Sequence, residues 1–421
     1  MPGAGLSRDG PIAAQELADV GPQLLAPGDG LLDLTSGLPQ AQPEIARLFR
    51  DAYHDQVLAS SFADSVTRYP DVRGTAVLRD VIAIEYGQYF GLPLTSRNVL
   101  VAPGSQAIFY YVCELMAQRG KKVRFTGPEY PGYRTHAGVQ YDMVLPDVQD
   151  DHHGDFRYLP RLGQLDRSVG VVLLSRPGNP TGNVLSDAQL DELASECTRI
   201  GTLLVIDGAY APPVPALCFA ELGVPWNEHV VLTHSLSAAG FAGERIGFAM
   251  ATEEVIDALA GIQARVAIAP HQLAQRVAAA VLAEGRLARV CREFLRPAYA
   301  ERHGFAREIL GQSLQVPVRF HAADGGPFLW MWCPELPVAT SDVSAELSSA
   351  GALVVPGASF FLPELRSAPH SSQCLRVGLT GTLESLEAGL VTFSDVINRN
   401  RPSTRPAIGE LAERWSRRRP A

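Results

Sequence analysis

The sequence predicts an α/β protein, with a large domain built on a mostly parallel sheet flanked by helices and a smaller α+β domain after it. From about Val72 onward, short apolar runs alternate with stretches of helical period, the pattern of β-α-β units. Beyond about Pro297 this alternation gives way to a smaller mixed set. The length of 421 residues also exceeds one ordinary core and suits a large domain with a smaller companion.

Residues 1–30, rich in Gly, Pro and Ala, read as a poorly structured lead-in, and 31–60 as a segment that joins the small domain. The large domain is expected over 61–296. Helices are predicted there at Ala76 to Tyr89, Ala107 to Ala117, Asp187 to Arg199 and Glu253 to Ala264. Buried strands are predicted at Val99 to Ala102, Lys122 to Phe125, Val169 to Leu174, Thr202 to Ile206, Val230 to Thr233 and Ile246 to Met250. A long connecting helix around Leu273 to Arg302 leads into the small domain, 297–397, with strands at Pro327 to Trp332, Ala352 to Val355 and Cys374 to Leu379. The Arg- and Pro-rich tail, 398–421, reads as a solvated terminus with a short helix at Ile408 to Ser416.

Composition narrows the function. With 46% hydrophobic and 19% charged residues and a net charge of -9, the chain is ordinary for a soluble globular protein and has no general attraction to nucleic acid or anionic membrane. No apolar run reaches the length of a membrane span, and no secretory signal is apparent, so a cytoplasmic location is expected. The six cysteines are scattered without a CxxC pair or a histidine-bearing cluster, which argues against disulfides and against a metal site. Lys121 and Lys122 are the only lysines.

Three clusters carry chemistry, each at the end of an apolar strand, where ligands collect in open α/β sheets. Ser175-Arg-Pro-Gly-Asn-Pro-Thr-Gly182 is a tight turn in which Asn179 serves either the backbone or a ligand. In Val205-Ile-Asp-Gly-Ala-Tyr210, Asp207 either caps the next element or pairs with a cationic ring nitrogen, and Tyr210 has a hydroxyl to donate. In His234-Ser-Leu-Ser-Ala-Ala-Gly-Phe-Ala-Gly-Glu-Arg-Ile-Gly247, Ser235, Ser237 and Arg245 suit a phosphate. Each is a weak signal alone.

Together, in this order and spacing, they resemble the core of the fold-type I pyridoxal-phosphate (PLP) enzymes of the aminotransferase superfamily, and most of all the valine–pyruvate aminotransferase group. There SRPxNPTGNV, DxAY and SLSKxGxxGxRxG stretches follow one another. The likeness runs from about Leu34 to Val396. It implies a sheet of the seven-stranded type, PLP as cofactor, a homodimer, and an α-amino acid and an α-keto acid as substrates. It further implies that Asp207 keeps the ring nitrogen protonated and that Asn179 and Tyr210 bond the ring hydroxyl. The phosphate is then held by Ser105, Ser235, Ser237 and Arg245, with Gln106 beside them in Pro103-Gly-Ser-Gln106, where a helix N-terminus meets the anion. Tyr130, in Pro128-Glu-Tyr-Pro-Gly-Tyr133, matches the aromatic that stacks on the ring. Tyr69, before Asp71-Val-Arg-Gly74, matches the tyrosine that reaches the neighbouring subunit's phosphate. Arg376, in Cys374-Leu-Arg-Val-Gly378, matches the fork that grips the substrate carboxylate, with Gly37 also at the substrate. Trp330, Trp332 and the loop Val355 to Phe360 either shape the substrate pocket or belong to the small-domain core.

One position departs from the pattern. The resemblance places the Schiff-base lysine, which also shuttles a proton, at 238, and this chain has Ala238. Because the surrounding motif is intact, the expected explanation is a lysine-to-alanine variant that is inactive or traps its ligands. The alternatives are a natural protein that uses His234 or a substrate group as base, and a binding module. Gly208, where relatives usually have Asn, is expected to open room beside the cofactor, and the arginine-heavy composition points to specialised metabolism, which makes β- or γ-elimination or substitution on an activated amino acid the rival to amino transfer.

Overall fold

The computed structural model describes residues 30–39, 42–151, 155–161 and 165–401. The predicted helix at Ile408 to Ser416 and nearly all of the lead-in lie outside them. The large sheet comprises β2 (Val99–Pro103), β3 (Lys122–Thr126), β4 (Tyr141–Val144), β7 (Val169–Ser175), β8 (Leu203–Asp207), β9 (Val230–Ser235) and β10 (Ile246–Met250), in the order β2-β10-β9-β8-β7-β3-β4. Strand β10 runs antiparallel to both of its neighbours, and the pairs β9-β8, β8-β7, β7-β3 and β3-β4 are parallel.

Two helices, α1 (Pro43–Leu58) and α2 (Phe62–Thr67), precede the sheet. Strand alternation explains the layering. Val123, Val171, Leu173, Val205 and Val231 pack on one face against α4 (Ser105–Gln118) and α6 (Glu253–Val266), which contribute Ile108, Val112, Met116 and Leu259. Val172, Leu174, Leu204, Ile206 and Leu232 pack on the other face, with Ile82 of α3 (Ala76–Phe90), Leu190 of α5 (Asp187–Ile200) and Val277 of α7 (Gln272–Leu282). Helix α5 opens with a capping box in which the Ser186 side chain accepts the Gln189 N–H, and it ends on Gly201 at φ 74°.

The connecting helix is not continuous. It breaks at Ala283–Gly285, where Glu284 and Gly285 take φ of 59° and 61°, and resumes through α8 (Arg286–Val290) and a π turn at Cys291–Leu295. From there α9 (Arg296–Ser313) accommodates Pro297 in its first turn, where a missing N–H costs little. A four-stranded antiparallel sheet follows: β11 (Arg319–Phe320), β12 (Phe328–Trp332), β15 (Cys374–Gly378) and β14 (Val355–Pro356). The segment predicted as one strand at Ala352 to Val355 is divided between β13 (Ala352–Leu353) and β14. Near the start of the chain, β1 (Leu32–Asp33) pairs in parallel with β13. The Leu34 carbonyl then accepts the Gly378 N–H at 2.7 Å, which carries residues 35–38 past Arg376. Strands β4, β5 (Asp147–Asp150) and β6 (Phe156–Leu159) have no counterpart among the predicted strands.

Candidate active site

Three strands of the large sheet end side by side in Ser175, Asp207 and Ser235, and all three residues, together with Asn179, reach one cavity of about 320 Å³. Gly37, Ser105, Gln106, Tyr130, Tyr210, Ser237, Ala238, Arg245 and Arg376 line it too. Period-2 alternation sets this arrangement, because Ser175, Asp207 and Ser235 share parity with the α4-side residues Leu173, Val205 and Val231. His234 has the opposite parity. It does not line the cavity; its ring packs edge-on against Tyr86 and stacks on Phe248 on the other face, and burial pushes its pKa down to about 3. The alternative reading, of His234 as the base at this site, is therefore corrected. So is that of extra room at Gly208: a Cβ there would lie 2.6 Å from His234 Cε1, so the imidazole occupies that space.

One end of the cavity is shaped for an anion. Ser105 begins α4 directly after Gly104 at φ 80°, and the Ser235 hydroxyl donates to Ser237 Oγ at 3.0 Å. Arg245 Nη1 donates to Ser237 Oγ at 3.1 Å. Its backbone sits in the left-handed region at φ 55°, a conformation that costs a non-glycine residue about 1–3 kcal/mol. A Cβ on Gly104 would overlap the Arg245 guanidinium, and one on Gly247 would overlap the backbone of Gly104 and Ser105. Only glycine permits this close approach.

Asp207 lies deeper. Burial raises its carboxyl to about 6, against the Tyr133 hydroxyl, the Ala209 N–H and the Thr233 hydroxyl, which favour the ionised form. Tyr133 donates to Oδ2 at 2.6 Å and Ala209 N–H to Oδ1 at 3.0 Å. Across the cavity, Arg376 is fully buried and donates to Asn179 Oδ1 at 2.8 Å and to the Thr35 carbonyl. Its guanidinium stands 4.2 Å from the Phe328 ring centroid and 4.9 Å from that of Phe360. Burial lowers its pKa to about 10, which leaves it cationic at neutral pH, and its Nε has no hydrogen-bond partner among the described residues. One cavity thus has a buried anion on one wall and, on another, a buried cation whose hydrogen bonds go to neutral acceptors. Such groups are costly unless a ligand completes them.

Tyr210 donates to the Gly37 carbonyl at 3.1 Å, and Gln106 to that of Gly132, which holds the turn bearing Tyr130. Tyr69 is 83% exposed and is not in this chain's cavity. Trp330 and Trp332 do not line the cavity either; Trp330 is buried against Phe360 in the small-sheet core, whereas Phe328 on the same strand does reach it. Sequence reasoning did not single out Tyr133, Ser175 and Phe328 as site residues. Their only signals were the final tyrosine of one motif, the first residue of another and an apolar position in a strand.

This constellation matches a known family. The model for aminotransferase class I and II covers residues 31–393. The chain belongs to that family. It is 31% identical over 386 residues to the valine–pyruvate aminotransferase of Escherichia coli, covering 88% of this chain and 91% of that protein. It is 26% identical over 390 residues to an aspartate/prephenate aminotransferase of Thermus thermophilus, covering 90% and 94%. Among solved structures, the valine-pyruvate aminotransferase of Salmonella typhimurium superimposes with a TM-score of 0.83 at 29% identity, covering 92% of this chain and 99% of that one. The fold is the fold-type I α/β architecture, and enzymes of this family depend on PLP. The residues present fit that group. A glycine-lined anion cradle lies at one end, a buried carboxylate keeps a lone pair beside its Tyr133 bond to accept from a ring N–H, and Tyr130 supplies an aromatic face.

Both lysines lie elsewhere. Lys121 and Lys122 stand at the start of β3, at the end of the sheet opposite the cavity, and the Lys121 ammonium donates to the Arg167 carbonyl. Ala238 lies in a 3-10 turn, Ser237–Ala239, and lines the cavity.

Proposed function

We propose that this protein catalyses PLP-dependent amino transfer between an α-amino acid with a small apolar side chain and an α-keto acid, with position 238 as the site of the lysine that the reaction requires. The observation that carries the reading is the pairing of Asp207 and Arg376 as opposed buried charges across one cavity. Bound PLP supplies an electron sink for the carbanion formed when a bond at the amino acid Cα breaks.

In this reading Asp207 accepts from the ring N–H and stabilises its positive charge, while Asn179 and Tyr210 donate to the ring hydroxyl. Ser105, Ser235, Ser237 and Arg245 hold the phosphate, and Tyr130 covers one face of the ring. Arg376 clamps the α-carboxylate and Gly37 borders it, which turns the Cα bonds relative to the ring. Gly37 must stay small, since a Cβ there would lie 2.7 Å from both Phe328 Cζ and the Tyr210 hydroxyl. Leu38 and Phe328 give the side-chain end an apolar wall, in keeping with the valine–pyruvate relative.

The proton at Cα needs an amine that Ala238 does not provide. As it stands, the chain is proposed to bind cofactor and substrate and to be impaired in turnover, a lysine-to-alanine form of the enzyme. A homodimer is also proposed. Leu58, Val66, Tyr69 and Val77, close in sequence, are all more than half exposed, and in this reading a second copy covers apolar surface there while bringing Tyr69 to the partner's phosphate site.

The test is product analysis with Ala238→Lys, PLP, valine and pyruvate. Amino transfer yields alanine and the branched keto acid in equal amounts. No alanine from valine and pyruvate, together with release of ammonia and pyruvate from O-acetylserine, whose β-acetoxy group can leave, would favour elimination and overturn the reading.

A further inference from the structure

A second buried carboxyl, Glu129, lies behind the cavity wall and has no place in the chemistry above. It follows β3, and both of its oxygens meet Ser175 at the end of β7. Oε1 accepts the Ser175 N–H at 3.0 Å, and Oε2 lies 2.6 Å from Ser175 Oγ. Ser175 Oγ in turn accepts the Asn179 N–H at 2.9 Å, and Asn179 Oδ1 accepts from Arg376 Nη1 at 2.8 Å. One run of hydrogen bonds therefore leads from Glu129 to the guanidinium in the cavity.

A carboxyl is costly to bury, and an apolar side chain fills such space without that cost. What the carboxyl adds is a fixed Ser175. The serine oxygen has one proton and two lone pairs. With Glu129 ionised, the hydroxyl donates to Oε2; with Glu129 protonated, it accepts from Oε2. In either state a lone pair remains for the Asn179 N–H, so the link to Arg376 does not depend on the charge of Glu129.

A second path runs through the backbone. The Glu129 N–H donates to the Phe360 carbonyl at 3.1 Å, and the Phe360 ring centroid lies 4.9 Å from the Arg376 guanidinium. Arg134, in the same segment as Glu129, donates to the neighbouring Ser359 carbonyl at 3.4 Å. Glu129 thus reaches Arg376 from two sides, through the Asn179 amide that bonds it and the Phe360 ring that packs against it. Arg376 itself stands on β15 of the four-stranded sheet, whereas Glu129 and Asn179 follow strands of the large one.

We infer that Glu129 is a positioning residue of the carboxylate clamp: through Ser175 and Asn179 on one side and Phe360 on the other, it holds Arg376 in the orientation that receives the α-carboxylate. The inference rests on the PLP reading above, which gives Arg376 that task. Asn179 Oδ1 and the Thr35 carbonyl fix the guanidinium, and its Nε–H, without a partner among the described residues, is left for the ligand. Without the Glu129 side chain the Ser175 N–H loses its acceptor and the hydroxyl is free to turn, which loosens Asn179 and with it the fork. The phosphate cradle of Ser105, Ser235, Ser237 and Arg245 lies at another end of the cavity, so substrate affinity depends on Glu129 more than cofactor affinity does.

The test uses the full chain with Ala238 and pyridoxamine phosphate, which needs no lysine to bind. Calorimetry first establishes cofactor binding; its absence would overturn the PLP reading itself. The loaded chain is then titrated with isovalerate, a branched carboxylate that has neither an amino nor a keto group to react. Glu129→Ala is expected to weaken isovalerate about 10-fold and pyridoxamine phosphate by less than about threefold, the scale of one hydrogen bond to a charged group lost at the clamp alone. Glu129→Gln, whose amide both accepts the Ser175 N–H and donates to Ser175 Oγ, is expected to restore isovalerate binding to near that of the parent. Unchanged isovalerate affinity in Glu129→Ala, an equal loss of both ligands, or a Glu129→Gln as weak as Glu129→Ala overturns the inference, as does a loaded parent that does not bind isovalerate. Should Glu129→Ala fail to fold, Ser175→Ala is expected to show the same selective loss, and unchanged isovalerate affinity there overturns the inference equally.

Discussion

The two ends of the large sheet each open on a cavity, and the larger is not the site. At the carboxyl ends of the strands, about 320 Å³ is bordered by buried groups: Asp207, Arg376, Asn179 and Ser235. At the amino ends, about 410 Å³ is bordered by Arg119, Lys121, Arg167, Glu228 and Glu254, side chains that reach water. Volume does not distinguish these cavities. What does is charge held out of water without a counter-charge, tolerated where a ligand supplies it.

The sharpest way to break that contrast is to move a lysine to the other end. Ala238→Lys is expected to raise amino transfer by roughly 10²–10⁴-fold, the usual contribution of a positioned acid–base group, measured as initial rate with saturating PLP. Next in size is Arg376. Added to Ala238→Lys, the substitution Arg376→Lys keeps the charge but loses the planar fork and is expected to lower kcat/KM about 10- to 100-fold, chiefly through KM.

Gly208→Asn tests the packing between the strands. Its side chain meets the His234 ring, so the thermal midpoint should fall, by an overpacking cost of roughly 1–3 kcal/mol. Smaller still is a pH effect in the ligand-free chain. Asp207 and Glu129 have folded pKa values raised to about 6 and about 8, so the folded state binds more protons than the unfolded state, and stability falls as pH rises across that range. Glu129→Gln removes its share and is expected to raise the melting temperature at pH 9 relative to the parent, and not at pH 5. At the far end, Lys121→Ala is expected to change turnover by less than about twofold, as a surface substitution away from the site should.

The three strand-end motifs were legible in the sequence because parallel strands announce themselves as apolar runs and their carboxyl ends are where ligands bind. Asp207, Asn179 and Arg245 could therefore be picked out as candidates, and only the family resemblance gave them roles. Strands β4, β5 and β6 were not legible, since Tyr141–Val144 is half-exposed at the sheet edge and Asp147–Asp150 is wholly exposed, which leaves no apolar run to read. The break at Glu284 was hidden because two left-handed residues hardly disturb an apolar period, although Gly285, the second of them, was a signal. Gly208 misled for a different reason: an absent side chain reads as space, and only the fold shows that His234 fills it. The burial of Glu129 against Ser175 lay beyond sequence reasoning altogether. Its partner Ser175 comes from another stretch of the chain, as Asp207 does beside Tyr133, and these groups meet only in the folded sheet.

The most direct measurement is an absorbance titration with PLP of this chain and of Ala238→Lys, followed by borohydride reduction and peptide mapping. The account predicts that both chains bind PLP, that only the lysine form turns yellow, and that reduction fixes the label at residue 238. A label on Lys121 or Lys122, at the opposite end of the sheet, or an absence of binding in both chains, would contradict it.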